Sequence, residues 1–231
     1  LNTIISACDF VKGKKRSDKT IHISFDEWGV ITEAGAVPGG VSQEFGFANF
    51  RQLDAVIYGG LLCTFLNHSD RAKIACQSLL VNEGGMITTD PFGKAIRQAT
   101  FYPFRDAAAY GKGITLKGIA SMPSAVTNHH GEQETVTAAC VYNEEKNEIT
   151  VFATNCEMQE DVSLNLCFEQ FGELKGIEWR ELYDDDPYAK NTFAEEFRVA
   201  PITKELPNTH EGRITLNLKK HSWNVLRFKV N

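Results

Sequence analysis

Apolar residues in the first part of the chain follow a helical period and then a strand period. A helix is predicted near the start, because five apolar residues recur at the spacing of one helix face: Leu1, Ile4, Ile5, Cys8 and Val11. The next apolar run, at residues 21–25, is too short for a helix. It predicts a buried strand that ends at Asp26, Glu27 and Trp28.

The alternation of helix and strand then repeats. A glycine-rich loop is predicted over 35–46, and a second helix with one apolar face begins at Asn49. Residues 73–81 predict a second buried strand, and residues 100–110 predict a third helix. This order is typical of a parallel α/β unit, in which two strands are at most a quarter of a (β/α)8 barrel.

The second half of the chain has a two-residue period instead. Apolar runs at 136–142 and 149–154 flank the polar residues 143–147, which predicts a β-hairpin. Alternating apolar and polar residues recur at 162–168 and in the last twenty residues. Short strands at this spacing predict an all-β sandwich or jelly roll.

Composition and charge narrow the functional classes. The 231 residues carry 24 basic and 30 acidic side chains, a formal charge of −6. This balance argues against a protein that binds nucleic acid or an anionic membrane, and no apolar run approaches the roughly 20 residues that span a bilayer. Six cysteines without CxxC pairs indicate reduced thiols in a cytoplasmic protein. Since the first residues show neither an initiator Met nor a signal-peptide pattern, we expect an internal part of a longer protein.

The segment Ser24-Phe25-Asp26-Glu27-Trp28 carries the most specific candidate chemistry. In a barrel, side chains at the C-terminal end of a strand face the active site. A carboxylate beside an aromatic ring there has the parts of a glycosidase site, namely a nucleophile or acid and a ring that packs against a sugar. A capping or salt-bridged acidic pair explains the same residues, so the pattern alone leaves both interpretations open.

Five segments that include this one form an ordered set along nearly the whole chain: 7–28, 66–73, 101–104, 189–193 and 221–225. In this order they resemble the C-terminal half of the α-L-arabinofuranosidases of glycoside hydrolase family 51. The resemblance implies a mixed fold class, a C-terminal piece of a (β/α)8 TIM barrel followed by an all-β jelly-roll or β-sandwich domain. The expected boundaries are 1–112 for the barrel part, with the nucleophile strand, and 113–231 for the sandwich.

The resemblance also implies a reaction and a site. Family members are retaining enzymes that remove terminal α-L-arabinofuranose from arabinan, arabinoxylan and their oligosaccharides. Their nucleophile is the Glu of the Phe-Asp-Glu-Trp motif, which corresponds to Glu27 here. Asp26 is expected to support the reaction rather than attack, because neighbours on a strand point to opposite faces. No cofactor and no metal are expected.

Three features depart from the family pattern. A retaining glycosidase needs a second carboxyl about 5–5.5 Å from the nucleophile, and the resemblance places it in an Asn-Glu pair on an earlier strand. The three Asn-Glu pairs here, at 82–83, 143–144 and 147–148, do not match that segment, so the acid/base is expected to be absent. Ile31 stands where the family commonly has a second Trp, and Leu79 where it often has a Gln.

Other polar clusters have simpler explanations. The loop 127–134 contains two histidines and two glutamates, which are expected to be solvated rather than metal ligands. The three aspartates at 184–186 predict a solvated acidic turn, because no calcium-loop pattern follows them. His68 and Asp70 are predicted to lie at a helix end.

The sequence therefore predicts the C-terminal portion of a cytoplasmic glycosidase that binds arabinofuranosyl oligosaccharides and has little activity as an isolated chain. For the full-length enzyme, the resemblance implies a homo-oligomer. Two alternatives remain open. The chain could be one half of a split glycosidase, or it could be a non-catalytic module that binds a carbohydrate or a partner. Four aromatic residues could offer ring faces to such a ligand: Trp179, Tyr183, Tyr188 and Trp223.

Overall fold

The computed structural model describes residues 1–30 and 50–231 of the chain. In these ranges it contains three α-helices: α1 (Asn2–Lys14), α2 (Gln52–Asn67) and α3 (Phe101–Tyr110). They confirm the three predicted helices, with ends displaced by a few residues. None of the helices in these ranges is long and apolar enough to cross a membrane. The predicted loop 35–46 and Ile31 lie outside the described residues.

Two parallel strands, β1 (Ile23–Trp28) and β2 (Ala72–Gln77), form the first sheet. Parallel neighbours need a crossover connection, and α2 supplies it. The helix–strand–helix–strand–helix order is that of the predicted parallel α/β unit. The strands are less buried than predicted: β2 has no fully buried residue, because the described part of this sheet has only two strands.

The second predicted strand also ends earlier than expected. Residues 78–86 leave the sheet, and Asn82 and Glu83 adopt positive φ in a turn. A short antiparallel hairpin follows, made of β3 (Ile87–Thr89) and β4 (Ala95–Arg97). The sequence did not predict this hairpin, because three-residue strands are too short to show a period.

The second half of the chain is all β and confirms the predicted sandwich. One sheet has six strands, in the spatial order β12-β11-β14-β9-β8-β5, and a second sheet pairs β10 with β13. A separate exposed hairpin joins β6 and β7. The bounds are as follows: β5 (Ile114–Leu116), β6 (Ser124–Thr127), β7 (Gly131–Glu134), β8 (Val136–Asn143), β9 (Glu148–Asn155), β10 (Val162–Cys167), β11 (Leu174–Leu182), β12 (Ile202–Lys204), β13 (Arg213–Leu218) and β14 (Ser222–Val230).

The six-stranded sheet is covered on both faces. One face packs against the β10–β13 sheet around Leu164, Leu216 and Phe228. The other face packs against α2, where Phe152 and Trp223 meet the helix. The central strands β9 and β14 are therefore buried along most of their length rather than at alternate residues.

Helix α2 is also buried on two sides. Ala55 and Cys63 belong to the core shared with the sandwich, whereas Tyr58 and Leu62 belong to a core shared with β1. The side chain of Gln52 donates hydrogen bonds to the carbonyl oxygens of Leu182, at 3.1 Å, and His221, at 2.8 Å. These buried bonds tie the first turn of α2 to the sandwich.

A buried carboxylate completes the contact between α3 and the sandwich. The Asp106 side chain is fully buried and lies 2.5 Å from Arg105 Nη2 and 3.4 Å from Arg180 Nε. The Trp223 indole N–H donates to Asp106 Oδ2 at 3.3 Å. Burial raises the pKa of Asp106 to about 6, although the Arg105 charge acts in the opposite direction.

The close approach of α2 to β14 makes the two neighbouring glycines of the helix unequal. A Cβ at Gly59 would lie 2.3 Å from Trp223 Cε3, whereas a Cβ at Gly60 would meet its nearest atom, Thr154 Oγ1, at 3.9 Å. We expect Gly59→Ala to lower the free energy of unfolding by about 1–3 kcal/mol through overpacking. Gly60→Ala, the matched control, should raise it by up to about 1 kcal/mol through helix propensity. Urea unfolding of both variants tests this, and equal effects would contradict it.

The Asp106 site predicts a pH-dependent difference in stability. Since the folded-state pKa is raised, the folded state binds more protons between pH 4 and 6, and stability is lost as the pH rises through this window. Asp106→Asn cannot titrate. The free energy of unfolding of the native chain minus that of this variant should therefore fall by about 1–3 kcal/mol from pH 4 to pH 6. Denaturant unfolding at several pH values measures it, and a constant difference would show that Asp106 does not titrate there.

Candidate active site

The Glu27 carboxylate lies at the C-terminal end of β1, exposed to solvent. Its Oε1 accepts a hydrogen bond of 2.5 Å from the Ser78 hydroxyl, and Ser78 is the first residue after β2. The ends of two neighbouring parallel strands therefore meet at this carboxylate. In barrel folds this edge of the sheet carries the active site.

A register shift between β1 and β2 lies beside Glu27. Phe25 pairs with Ala75 and Trp28 pairs with Gln77, so β1 has one residue more than β2 over this stretch. Phe25 and Trp28 both pack against Phe65 of α2, with ring centroids 5.3 Å away in each case. An extra residue of this kind interrupts alternation and redirects side chains near functional sites.

Asp26 and Glu27 are both exposed, and their expected arrangement on opposite faces of the strand stays a prediction. The extra residue of β1 lies in the same stretch, between Phe25 and Trp28. Their partners differ. Asp26 Oδ1 accepts a hydrogen bond of 2.8 Å from Ser24 on its own strand, whereas Glu27 is bonded across the sheet.

Aromatic side chains of α2 and α3 pack against the end of β1. The Trp28 ring lies 5.2 Å from the Tyr58 ring and 6.3 Å from the Phe104 ring, so it contacts both α2 and α3. Such pairs contribute stability beyond the area that they bury. The residue next to the candidate nucleophile is thus anchored in the core while Glu27 remains accessible.

Hydrogen bonds hold the backbone of Ser78. Its amide donates to the Trp28 carbonyl at 3.0 Å, and its own carbonyl accepts a hydrogen bond of 2.8 Å from the Gln77 side chain. Gln77 Nε2 also lies 3.0 Å from the hydroxyl of Tyr58, a fully buried residue. Burial raises the pKa of Tyr58 to about 12, so the phenol stays neutral. The peptide bond between Ser78 and Leu79 is cis.

The sequence marks Glu27 as a candidate but gives no sign of its hydrogen-bond partner, Ser78. No periodicity or motif marks a serine that follows a strand, and its contact with Glu27 spans 51 residues of sequence. Leu79, the position of the family's Gln, is half exposed beside it. The pair Asn82-Glu83 lies in the turn after β2, where the Asn82 side chain accepts a hydrogen bond from the amide of Thr89.

The remaining polar candidates lie apart from this site. His68 follows the end of α2, where one ring nitrogen lies 2.8 Å from the Thr64 carbonyl and the other 2.9 Å from the Asn2 side chain. The acidic turn contacts Arg198, which pairs with Asp184 and Asp186. In residues 1–30 and 50–231, no group of three or more His, Cys, Asp or Glu side chains is arranged to hold a metal ion.

The aromatic residues considered for a binding module divide into two groups. Trp179 and Trp223 are buried, and their indole N–H groups bond to Asn224 and Asp106. They are core residues and present no ring face to a ligand. Tyr188 is exposed, and Arg51 lies over its ring at 5.2 Å. Tyr183 is partly exposed, and its hydroxyl donates a hydrogen bond to Asp185.

Comparisons with known proteins agree with this fold. Residues 26–222 match the family model described as the alpha-L-arabinofuranosidase C-terminal domain. Two similar curated proteins are both named intracellular exo-alpha-(1->5)-L-arabinofuranosidase. The one from Acetivibrio thermocellus is 34% identical over 98% of this chain and 47% of its own length. The one from Halalkalibacterium halodurans is 35% identical over 98% of this chain and 46% of its own length.

Solved structures give the same result. The family 51 alpha-L-arabinofuranosidase AbfB from Bifidobacterium longum superposes with a TM-score of 0.86 at 28% identity, over 99% of this chain and 47% of that one. The enzyme from Thermotoga maritima, solved with arabinose, superposes with a TM-score of 0.74 at 18% identity, over 96% of this chain and 48% of its own, and shows the fold alone.

The fold places a pair of parallel strands before a β-sandwich, and the comparisons specify the family. The chain belongs to the alpha-L-arabinofuranosidases of glycoside hydrolase family 51, of which it holds the C-terminal portion. It spans about half the length of the curated relatives that it matches.

Proposed function

We propose that the chain is the C-terminal part of a retaining α-L-arabinofuranosidase and that Glu27 is its nucleophile. The observation that carries this proposal is the exposed Glu27 carboxylate at the end of β1, bonded to the end of the neighbouring parallel strand. Glu27 also lies inside the segment that matches the family model. Both facts support the proposal, because barrel enzymes carry their reactive groups at this edge of the sheet.

The proposed substrates are oligosaccharides of the arabinan and arabinoxylan type with a terminal α-L-arabinofuranosyl residue. The relatives named above are exo-acting enzymes on α-(1→5) linkages, and one from Bifidobacterium longum, 31% identical, acts on α-(1→6) linkages according to its name. Several of these names also contain the word intracellular, so we extend that location to this protein. A homo-oligomer of the full-length enzyme remains part of the proposal.

The chemistry has two steps. Glu27 attacks the anomeric carbon, and a carbon–oxygen bond to the carboxylate forms as the glycosidic bond breaks. The leaving oxygen takes a proton from an acid, and the same group then removes a proton from the water that hydrolyses the arabinosyl ester. The acid/base is proposed to lie outside these 231 residues, so the isolated chain should show little turnover.

The surface of the first sheet supports the need for further barrel strands. Helix α1 has no buried residue, and Phe10 is among its exposed apolar side chains. Ile74 on β2 is also exposed. A completed barrel would cover such a surface, whether its strands come from the same chain or from a second one. The proposed domain boundary after residue 112 falls between the end of α3 and the start of β5.

A chimera tests the proposed nucleophile. The 231 residues replace the corresponding half of the Acetivibrio thermocellus relative, and hydrolysis of 4-nitrophenyl α-L-arabinofuranoside is measured. Glu27→Gln should lower kcat at least about 1,000-fold, because loss of a nucleophile removes the covalent step. Glu144→Gln, which removes an exposed carboxylate in the hairpin connection of the sandwich, is the matched control and should leave kcat unchanged.

Two results would contradict the proposal. One is a Glu27→Gln chimera that keeps its activity. The other is hydrolysis at enzyme-like rates by the 231-residue chain alone, which would place the acid/base within it. A 2-fluoro arabinofuranosyl substrate provides an independent test of the nucleophile. A retaining enzyme should carry the trapped sugar on the peptide that contains Glu27.

A further inference from the structure

We propose that Ser78 is a positioning residue that holds the Glu27 carboxylate for attack. The inference rests on the proposed function of Glu27. Its starting point is the 2.5 Å hydrogen bond from Ser78 Oγ to Glu27 Oε1. Among the residues that the structure describes, Ser78 is the one side chain that donates to this carboxylate.

The Ser78 hydroxyl is presented from a fixed backbone. The amide of Ser78 continues the ladder to the Trp28 carbonyl, and the Gln77 side chain binds the Ser78 carbonyl. Gln77 is held in turn by Tyr58, and Trp28 by the aromatic core. The amide N–H and the carbonyl oxygen of Ser78 are therefore both hydrogen-bonded. The rotation that positions the side-chain hydroxyl is the conformational freedom that this residue keeps.

The Glu27 side chain differs from Ser78 in its exposure and in its rotational freedom. It lies at an exposed strand end, past a register shift, on a side chain with three rotatable bonds. That rotational freedom must be lost before the carboxylate can approach an anomeric carbon in line. A hydrogen bond from a fixed donor removes this freedom before the substrate arrives.

The bond also assigns roles to the two carboxylate oxygens. Ser78 engages Oε1, so Oε2 is the oxygen left to form the bond to the sugar. A distance of 2.5 Å is at the short end for a hydrogen bond between a hydroxyl and an ionised carboxylate.

The chimera described above tests the role of Ser78. Ser78→Ala should lower kcat and kcat/KM about tenfold with KM unchanged within about twofold, because the lost bond acts on the nucleophile rather than on sugar binding. Ser78→Thr keeps a hydroxyl and should recover kcat to within about threefold of the native value. The matched control is Ser69→Ala, since the Ser69 hydroxyl lies before β2 and contacts Thr115 at 3.1 Å.

A Ser78→Ala chimera with native kcat, or with a change in KM alone, would overturn the inference. A Ser78→Thr chimera as slow as the alanine variant would also overturn it. The loss of activity would then come from the changed shape of the side chain and not from the lost hydroxyl. Glu27→Gln separates the two proposals. If that variant keeps its activity, the nucleophile is wrong; if it is inactive while Ser78→Ala is fully active, Ser78 alone is wrong.

A second measurement needs no turnover and uses the 231-residue chain. Carboxylates are modified with a carbodiimide and glycine ethyl ester, and the peptide that contains both Asp26 and Glu27 is analysed by mass spectrometry. Ser78→Ala should raise the ratio of Glu27 to Asp26 modification at least about threefold, because the carboxylate that has lost its hydrogen bond is more mobile and more accessible to the reagent. An unchanged ratio would overturn the proposed contact.

Discussion

The contact between Gly59 of α2 and the Trp223 ring of β14 leaves no room for a side-chain carbon, and it sets the distance between the two halves of the chain. Helix α2 packs against the sandwich on this side and against the parallel strands on the other, so two of its sides are buried. In close packing of this kind, a displacement of one layer also displaces the layer packed against it. The sandwich therefore acts as a support for the helix that joins β1 to β2.

The candidate site lies at the end of that series of contacts. The sandwich holds α2 through the buried Gln52 amide, α2 holds Trp28 through Tyr58 and Phe65, and Trp28 is the neighbour of Glu27. A carboxylate that is open to solvent is thus attached to a backbone that is fixed from within. This separation of rigid support from accessible chemistry is what a catalytic group requires.

Much of the fold could be predicted because its elements have regular periods. The three helices and the β8–β9 hairpin follow from apolar spacing and from polar connections. The strand β11 was missed because a register shift between Gly176 and Glu178 breaks its alternation. The hairpins β3–β4 and β6–β7 were missed because their strands have only three or four residues, and the second is exposed throughout.

The sequence by itself indicated the family and the candidate nucleophile. The Phe-Asp-Glu-Trp segment at a strand end, in order with four others, indicated the family and marked Glu27. Only the tertiary structure decided that Ser78, 51 residues later, donates to that carboxylate, and that β1 has one residue more than β2 between Phe25 and Trp28. The reason is physical: residue types and periods are local properties of the chain. The register between two strands is set by helix α2 and by everything packed against it.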